Sequence, residues 1–240
     1  MDIAIPLFDG ITALDAIGPY EVLSLLPGAR VRFVAIEPGP KKTDKHLTLV
    51  ADEPLSAVPR PEIIMVPGGF GTRALMTPNP LLDWIRTAHE TSQWTTSVCT
   101  GSLLLGAAGL LRGLEATTHW TVLDELRALG ARPTPRRVVE QGKIVTAAGV
   151  SSGIDMALRL AARIAGDETA QAIQLDIEYD PQPPFDAGSP DKAPPAIVAA
   201  LRERTRARLV AGADSRRRVE SFATPSAGWA PISWPVTRPR

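Results

Sequence analysis

Short apolar runs alternate with stretches of helical spacing between Ile3 and Ile164 of this 240-residue chain. The apolar runs are Ile3–Phe8, Val31–Ile36, Ile63–Val66, Trp94–Val98 and Ile144–Ala147. The helical stretches between them are Thr12–Leu26, Leu81–His89, Gly101–Leu111 and Gly153–Ile164. This alternation predicts an α/β sandwich with a mostly parallel central sheet, whose functional groups lie where the strands end.

Several local features add detail to this pattern. Pro6 has no N–H to donate to a sheet ladder, so it predicts a bulge or an edge position for the first strand. Gly18-Pro19 predicts that the first helix consists of two pieces joined at a kink. Glu115–His119 predicts one more short strand, and Ala196–Ala211 predicts the last helix.

The only cysteine, Cys99, lies where the strand Trp94–Val98 turns into the helix that begins at Gly101. A nucleophile at such a strand-to-helix turn is a nucleophile elbow. The start of a helix favours the thiolate, which is the reactive form of cysteine. A buried structural cysteine would give the same local pattern, because free cysteine is among the most buried residue types. The local sequence therefore leaves both roles open.

A nucleophilic cysteine also needs groups that stabilise developing negative charge. The backbone N–H of Thr100, directly after the cysteine, is one predicted donor. Gly69 is a second, because the run Pro67-Gly68-Gly69 ends a neighbouring strand and glycine allows close backbone approach. A simple tight turn would also explain the glycine run.

The three histidines give no clear proton carrier for the cysteine. We expect His46 and His89 at the surface and His119 in a structural role at the start of a helix. These histidines and the single cysteine lack the spacing of metal ligands, so we expect no metal site.

Asp15 is the best candidate for a proton carrier. It follows the first strand and is flanked by Leu14, Ala16 and Ile17. Apolar surroundings raise the pKa of a carboxyl group, so that it can hold a proton near neutral pH. An exposed helix acid or a helix cap remains the alternative. Glu21, further along the same helix, ranks below Asp15.

The net charge of the chain is zero but is unevenly distributed. From residue 200 onward, nine arginines stand against three acidic residues, a net charge of +6 that leaves −6 in the rest. We expect a solvated helix face and a loose end here rather than a nucleic-acid surface. Residues 214–240 contain few strongly apolar residues and four prolines, so we expect a domain of residues 1–212 and an extended or mobile tail of residues 213–240.

A single cysteine excludes an intrachain disulfide and gives no sign of a secreted scaffold. The N-terminal residues lack the pattern of a signal peptide, and no apolar stretch is long enough to cross a bilayer. We therefore expect a cytoplasmic protein without a membrane partner.

Four motifs and one longer run carry a resemblance to a known superfamily. They are Leu14-Asp15-Ala16-Ile17-Gly18-Pro19, Pro67-Gly68-Gly69, Ser97-Val98-Cys99-Thr100-Gly101-Ser102, Ala116-Thr117-Thr118-His119-Trp120 and residues 178–190. Together they resemble the ThiJ/PfpI superfamily over residues 1–212, and within it the isonitrile (isocyanide) hydratases. The elbow and the glycine motif are widespread in the superfamily, whereas the Asp15 motif and the threonine after the cysteine are more selective. Pro6, Gly10-Ile11 and the segment after residue 212 depart from the superfamily pattern, so the resemblance does not fix the shape of the substrate pocket or the substrate.

The resemblance implies a flavodoxin-like three-layer sandwich, usually a homodimer, with Cys99 as the nucleophile. Asp15 would be the essential acid, and Thr100 would orient the cysteine through its hydroxyl and its amide. The implied reaction adds water to an isonitrile, R–NC, through a thioimidate on Cys99. It yields an N-substituted formamide and uses no cofactor.

Other functions fit parts of the same pattern. A glyoxalase or deglycase would bind reactive carbonyls on Cys99 as a hemithioacetal. Those relatives mostly pair the cysteine with a glutamate, and often with an adjacent histidine, so Asp15 and Thr100 count against this function. A non-enzymatic redox or ligand sensor would need only the reactive cysteine. A transcription regulator would need a helix-turn-helix module, for which we expect too few residues after the last helix.

Overall fold

The computed structural model describes the backbone of residues 1–219 and the side chains of residues 1–210. The strands are β1 (Asp2–Pro6), β2 (Arg30–Ala35), β3 (Gly39–Lys42), β4 (Thr48–Ala51), β5 (Glu53–Pro54), β6 (Ile63–Val66), β7 (Trp94–Val98), β8 (Glu115–Ala116), β9 (Arg132–Pro133), β10 (Val138–Gln141) and β11 (Ile144–Ala147). The helices are α1 (Ala13–Leu23), α2 (Pro80–Thr91), α3 (Gly101–Ala107), α4 (Leu123–Ala128), α5 (Ser152–Ala165), α6 (Asp167–Asp176) and α7 (Pro195–Val219).

The described chain divides into one compact unit, Met1–Pro183, and a second unit that begins at Pro184 and contains α7. We expected the last helix to end at Ala211, but α7 continues to Val219. The first residues of the predicted tail, 213–219, are thus helical. The rest of that tail, residues 220–240, lies outside the described residues.

A seven-stranded sheet in the order β10-β11-β7-β6-β1-β2-β5 forms the centre of the first unit. Its strands pair in parallel, except for the β10–β11 hairpin. Two groups of helices pack around it, α1 with α5 and α6, and α2 with α3 and α4. Strand side chains such as Ile3, Ile5, Ile63 and Met65 are fully buried because both faces of the sheet are covered. The predicted flavodoxin-like sandwich is confirmed.

The carboxyl ends of β1, β6, β7 and β11 lie side by side at one edge of this sheet. The segments that follow them are therefore brought together, as expected for an open parallel sheet. A bridge between Ile11 and Gly69 joins the segment after β1 to the glycine run after β6.

Pro6 lies in an interior strand, so the predicted bulge or edge position was wrong. The pairing of β1 with β6 extends only to Ala4 and Ile64. On the other side, Leu7 N donates to Val34 O at 2.7 Å. The missing N–H of Pro6 thus falls where pairing with β6 has already ended.

The prediction that the first helix has two pieces was also wrong, because α1 is one helix with Pro19 inside it. Glycines on both helices allow α1 and α5 to approach closely. A Cβ on Gly18 would lie 3.1 Å from Ile154, and one on Gly153 would lie 3.0 Å from Pro19. Packing against α5 therefore supports the helix at the point where Pro19 lacks an N–H.

The strand predicted at Glu115–His119 is shorter than expected. Only Glu115–Ala116 forms a strand, and it pairs with β9 outside the main sheet. Thr117 and Thr118 are instead used by the site, since Thr117 N donates to Thr146 Oγ1 and Thr118 Oγ1 donates to Cys99 O.

The β3–β4 hairpin is a separate two-stranded sheet whose turn packs on the segment after β1. Gly10 N donates to Lys42 O at 2.7 Å, and Asp44 N donates to Ile11 O at 2.9 Å. These bonds place residues 43–47 beside the start of α1.

Candidate active site

Cys99 occupies a strained elbow between β7 and α3. Its φ is +56°, a conformation that non-glycine residues rarely adopt and that costs about 1–3 kcal/mol. The surrounding chain holds this geometry from both sides. Cys99 N donates to Ala148 O at 2.8 Å, and Cys99 O accepts hydrogen bonds from Thr118 Oγ1 at 3.0 Å and Ser102 Oγ at 3.2 Å. The predicted nucleophile elbow is present.

Asp15 is completely buried in the first turn of α1. Its Oδ2 accepts a hydrogen bond from Gly68 N at 3.0 Å, while Oδ1 has no donor among the described residues. Burial raises the pKa of Asp15 from 3.8 to about 7, although the Gly68 amide and the Cys99 thiol act in the opposite direction. A carboxyl group with this pKa can give and take a proton at neutral pH.

The thiol of Cys99 faces this carboxyl group, and the two groups perturb each other's pKa. Burial and the charge of Asp15 raise the pKa of Cys99 well above its usual value. The backbone N–H groups of Thr100 and Val150 act on the sulfur in the opposite direction but do not outweigh burial. The start of a helix favours the thiolate, but here burial of the sulfur outweighs the effect of the short helix α3 and favours the thiol. The thiol of Cys99 thus lies beside a carboxyl group that can take its proton.

Thr100 and Gly69 are brought together, but not in the predicted arrangement. Gly69 N donates to Thr100 Oγ1 at 2.8 Å, and the same hydroxyl donates to Gly69 O at 3.0 Å. The amide of Gly69, predicted to face developing charge, is thus already bonded to the Thr100 side chain. The Thr100 hydroxyl fastens the glycine run to the elbow.

The glycine run also brings the acid to the elbow. A Cβ on Gly68 would lie 2.5 Å from Thr100 N and 2.9 Å from Asp15 Oδ2, so a side chain here would displace both groups. Gly69 has a φ of +139°, which favours glycine. The motif is more than the simple tight turn that we considered as an alternative.

Sequence reasoning missed Val150, whose N–H acts on the Cys99 sulfur. Val150 has a φ of +39°, which is an outlier for a β-branched residue. It lies after β11, and β11 pairs in parallel with β7 so that Ala147 stands opposite Val98. The carboxyl end of β11 was therefore the available signal. The predicted site included only the segments that follow β1, β6 and β7.

The other titratable candidates lie outside this pair. His119 accepts a hydrogen bond from Thr121 N and bonds Thr121 Oγ1 at 2.7 Å, which is the structural role that we predicted. Burial and the charge of Arg73 lower its pKa to about 4. Glu21 is exposed on α1.

The remaining histidines contribute nothing to the site. His46 is exposed, as predicted. His89 was wrongly expected at the surface, since it is half-buried and bonds Thr95 Oγ1 at 2.8 Å.

Among the side chains that the structure describes, those of residues 1–210, no group of three or more His, Cys, Asp or Glu residues is arranged to hold a metal ion. No helix in the same part of the chain has the length and apolar character needed to cross a membrane.

The chain is similar to known proteins in sequence and in structure. The sequence profile of the DJ-1/PfpI family matches residues 1–163. The chain is 46% identical over 204 residues to isonitrile hydratase of Pseudomonas putida, which covers 85% of this chain and 90% of that enzyme. It is 26% identical over 174 residues to the HTH-type transcriptional regulator CdhR of Pseudomonas aeruginosa, and this match spans 69% of the chain but only 50% of the regulator.

Among solved structures, the chain is similar to a ThiJ/PfpI family protein from Pseudomonas syringae. The TM-score is 0.83 at 37% sequence identity, and the match covers 85% of this chain and 86% of that protein.

Proposed function

We propose that this chain, which belongs to the DJ-1/PfpI family, is an isonitrile hydratase that uses Cys99 as nucleophile and Asp15 as proton carrier. The observation that carries the proposal is a buried carboxyl group with a pKa of about 7 that faces the thiol. Such a pair supplies a nucleophile and a proton without a histidine. The high identity to an isonitrile hydratase over most of both chains supports the same substrate class.

The first step forms a thioimidate. The ionised carboxylate of Asp15 takes the thiol proton as the Cys99 sulfur bonds to the terminal carbon of R–NC. The same carboxyl group returns that proton to the carbon, which has become electron-rich. The S–H bond is broken, one C–S and one C–H bond are formed, and the product is R–N=CH–S–Cys99. No external oxidant or reductant enters the balance.

The second step consumes water. The Asp15 carboxylate takes a proton from water while the oxygen attacks the thioimidate carbon, and Asp15 then passes that proton to the nitrogen and is ionised again. The adduct R–NH–CH(OH)–S–Cys99 then loses its C–S bond, and R–NH–CHO leaves. The proton of the adduct hydroxyl returns to the sulfur through Asp15. The N–H groups of Thr100 and Val150 stabilise the sulfur as it departs.

Thr100 and Gly69 hold this pair in place rather than reacting. The Thr100 hydroxyl fixes Gly69, and the adjacent Gly68 amide fixes the Asp15 carboxyl group. The acid on α1 and the nucleophile after β7 are thereby kept at a constant separation, as efficient proton transfer requires.

The experiment is incubation of the protein with a panel of alkyl isonitriles and, separately, with methylglyoxal. NMR would detect an N-substituted formamide in the first case and lactate in the second. Formamide from the wild type and none from Cys99→Ala supports the hydratase. Lactate without formamide would favour a glyoxalase, and neither product would favour a sensor.

A homodimer in the cytoplasm is part of the proposal. Leu14 on α1 and Leu25 just after it are 42% and 43% exposed, and Leu175 on α6 is 78% exposed, so these segments offer apolar area to a second copy. The free thiol suits a reducing compartment. Light scattering of the wild type and of Leu14→Glu would test the dimer, since the charged variant should dissociate.

A further inference from the structure

The start of α1 has the sequence pattern of a helix cap, but the two side chains of that pattern bond to other parts of the chain. Thr12 is the N-cap residue and Asp15 is the acid three residues later, the spacing of a capping box. In a capping box the two side chains satisfy each other's backbone N–H groups. Here the Thr12 side chain makes no capping hydrogen bond, and the Asp15 carboxyl group bonds to Gly68 N. Departures of this kind from a local rule are expected at functional sites.

The Thr12 hydroxyl is held by the β3–β4 hairpin. Thr12 Oγ1 donates to Asp44 Oδ2 at 3.0 Å, and Asp44 N donates to Ile11 O at 2.9 Å. Backbone hydrogen bonds continue the connection inward, because Thr12 N donates to Gly68 O and Asp15 N donates to Thr12 O. Asp44 therefore contacts the residue from which the first turn of α1, including Asp15, begins.

Asp44 has a second unusual feature. Its Oδ1 is buried and takes no hydrogen bond from the described residues. Asp15 Oδ1 is in the same condition, so each of the two carboxyl groups keeps one buried oxygen that takes no hydrogen bond from the described residues. A buried carboxyl oxygen without a hydrogen-bond partner costs free energy, as is accepted at functional sites.

We propose that Asp44 is a positioning residue for Asp15: it holds the start of α1 through Thr12 and places a second negative charge beside the catalytic carboxyl group. This role rests on the proposed function of Asp15. It predicts that the hairpin turn sets the pH at which the cysteine becomes reactive.

Four groups act on the charge of Asp15. They are the Cys99 thiol at the elbow, the Gly68 amide after β6, and Asp44 and Lys45 in the hairpin turn. Asp44 raises the pKa of Asp15 and Lys45 lowers it, because a like charge disfavours ionisation and an opposite charge favours it. Two adjacent residues of the turn thus act with opposite sign, which gives the experiment an internal control.

The experiment measures the rate of Cys99 alkylation by iodoacetamide against pH, together with kcat/KM for an alkyl isonitrile. The rise in alkylation rate with pH that is due to Asp15 is the one that disappears in Asp15→Asn. Asp44→Asn removes a negative charge and should move the midpoint of this rise to lower pH by about half a pH unit. Lys45→Met removes a positive charge and should move the midpoint to higher pH. Thr12→Val keeps both charges but loses the hydroxyl. It should leave the midpoint in place and lower kcat several-fold with little change in KM.

The matched control is Asp52→Asn, an exposed acid just after β4, at the end of the hairpin away from the turn. Midpoints of Asp44→Asn and Lys45→Met that coincide with those of the wild type and Asp52→Asn would overturn the proposal. The alkylation rates need no substrate, so they decide the role of Asp44 even if the wild type forms no formamide. A wild type that forms no formamide would contradict only the proposal that the protein is an isonitrile hydratase. Circular dichroism melting shows whether Asp44→Asn, Lys45→Met or Thr12→Val fails to fold. If one of them does, the other two decide the role of Asp44.

Discussion

The amide of Gly68 donates to Asp15 Oδ2 at 3.0 Å and so joins the glycine run after β6 to the first turn of α1. The next amide in the run, that of Gly69, donates to Thr100 at the elbow. Two successive N–H groups therefore hold the acid and the segment that bears the nucleophile. The separation of the reacting groups depends on this short backbone segment rather than on the side chains alone.

Asp15 should make the reactivity of Cys99 depend on pH near neutrality. The ionised carboxylate removes the thiol proton, so the rate of alkylation should rise as pH passes through the Asp15 pKa of about 7. Stopped-flow alkylation from pH 5 to pH 9 measures this limb. Asp15→Asn should lose the limb while Cys99 remains alkylatable at higher pH. An unchanged profile in Asp15→Asn would show that another group is the base.

Burial of Asp15 should also make the fold less stable as pH rises. The folded chain holds the Asp15 proton up to about pH 7, whereas the unfolded chain releases it near the ordinary value of 3.8. Stability contributed by the protonated form is complete below pH 3.8 and is lost as pH rises toward 7, by up to about 4 kcal/mol. Urea unfolding at several pH values in this window measures the loss. Asp15→Asn should reduce it, and equal slopes in both proteins would contradict the assignment.

Gly68→Ala should damage both the fold and the activity. Its Cβ would lie 2.5 Å from Thr100 N and 2.9 Å from Asp15 Oδ2, and neither group can move without disturbing the other. We expect a loss of about 1–3 kcal/mol in unfolding free energy and at least a tenfold loss in kcat. Gly188→Ala is the matched control, because a Cβ there meets nothing within 4 Å. Similar behaviour of the two variants would mean that the close approach at Gly68 is unimportant.

Thr100→Val should uncouple the glycine run from the elbow. Both the N–H and the C=O of Gly69 would lose their bonds to the Thr100 hydroxyl in a buried location. Each unsatisfied group costs about 1–3 kcal/mol, so unfolding free energy and kcat should both fall. Thr100→Ser keeps the hydroxyl and should restore most of both. A valine variant as active as the serine variant would remove the positioning role from Thr100.

The parts of the site that were predictable from sequence are those that one continuous segment defines. The strands Ile63–Val66 and Trp94–Val98 have the predicted bounds, because uninterrupted runs before glycine or an elbow mark buried parallel strands. Asp15 was recognisable because its immediate neighbours are apolar. The elbow at Cys99 was recognisable because the strand Trp94–Val98 runs directly into the helix that begins at Gly101.

The remaining features depend on contacts between distant segments. The raised pKa of Cys99 comes from burial that the chain around it does not reveal, since the local helix geometry alone favours the thiolate. The contact of Val150 with the sulfur follows from the pairing of β11 with β7. The hydrogen bond of Thr12 to Asp44 joins residues 32 positions apart. Pro6 is tolerated because the pairing of β1 with β6 ends at Ala4, before the residue that lacks an N–H.

The central claim is that Cys99 and Asp15 together hydrate an isonitrile, and formamide release measured by NMR in three proteins tests it most directly. We expect steady turnover of an alkyl isonitrile by the wild type. Cys99→Ala and Asp15→Asn should each be slower by at least about a thousandfold, because groups that act as a unit fail together. Turnover by either variant at the wild-type rate, or no formamide from the wild type with any isonitrile of the panel, would contradict the mechanism.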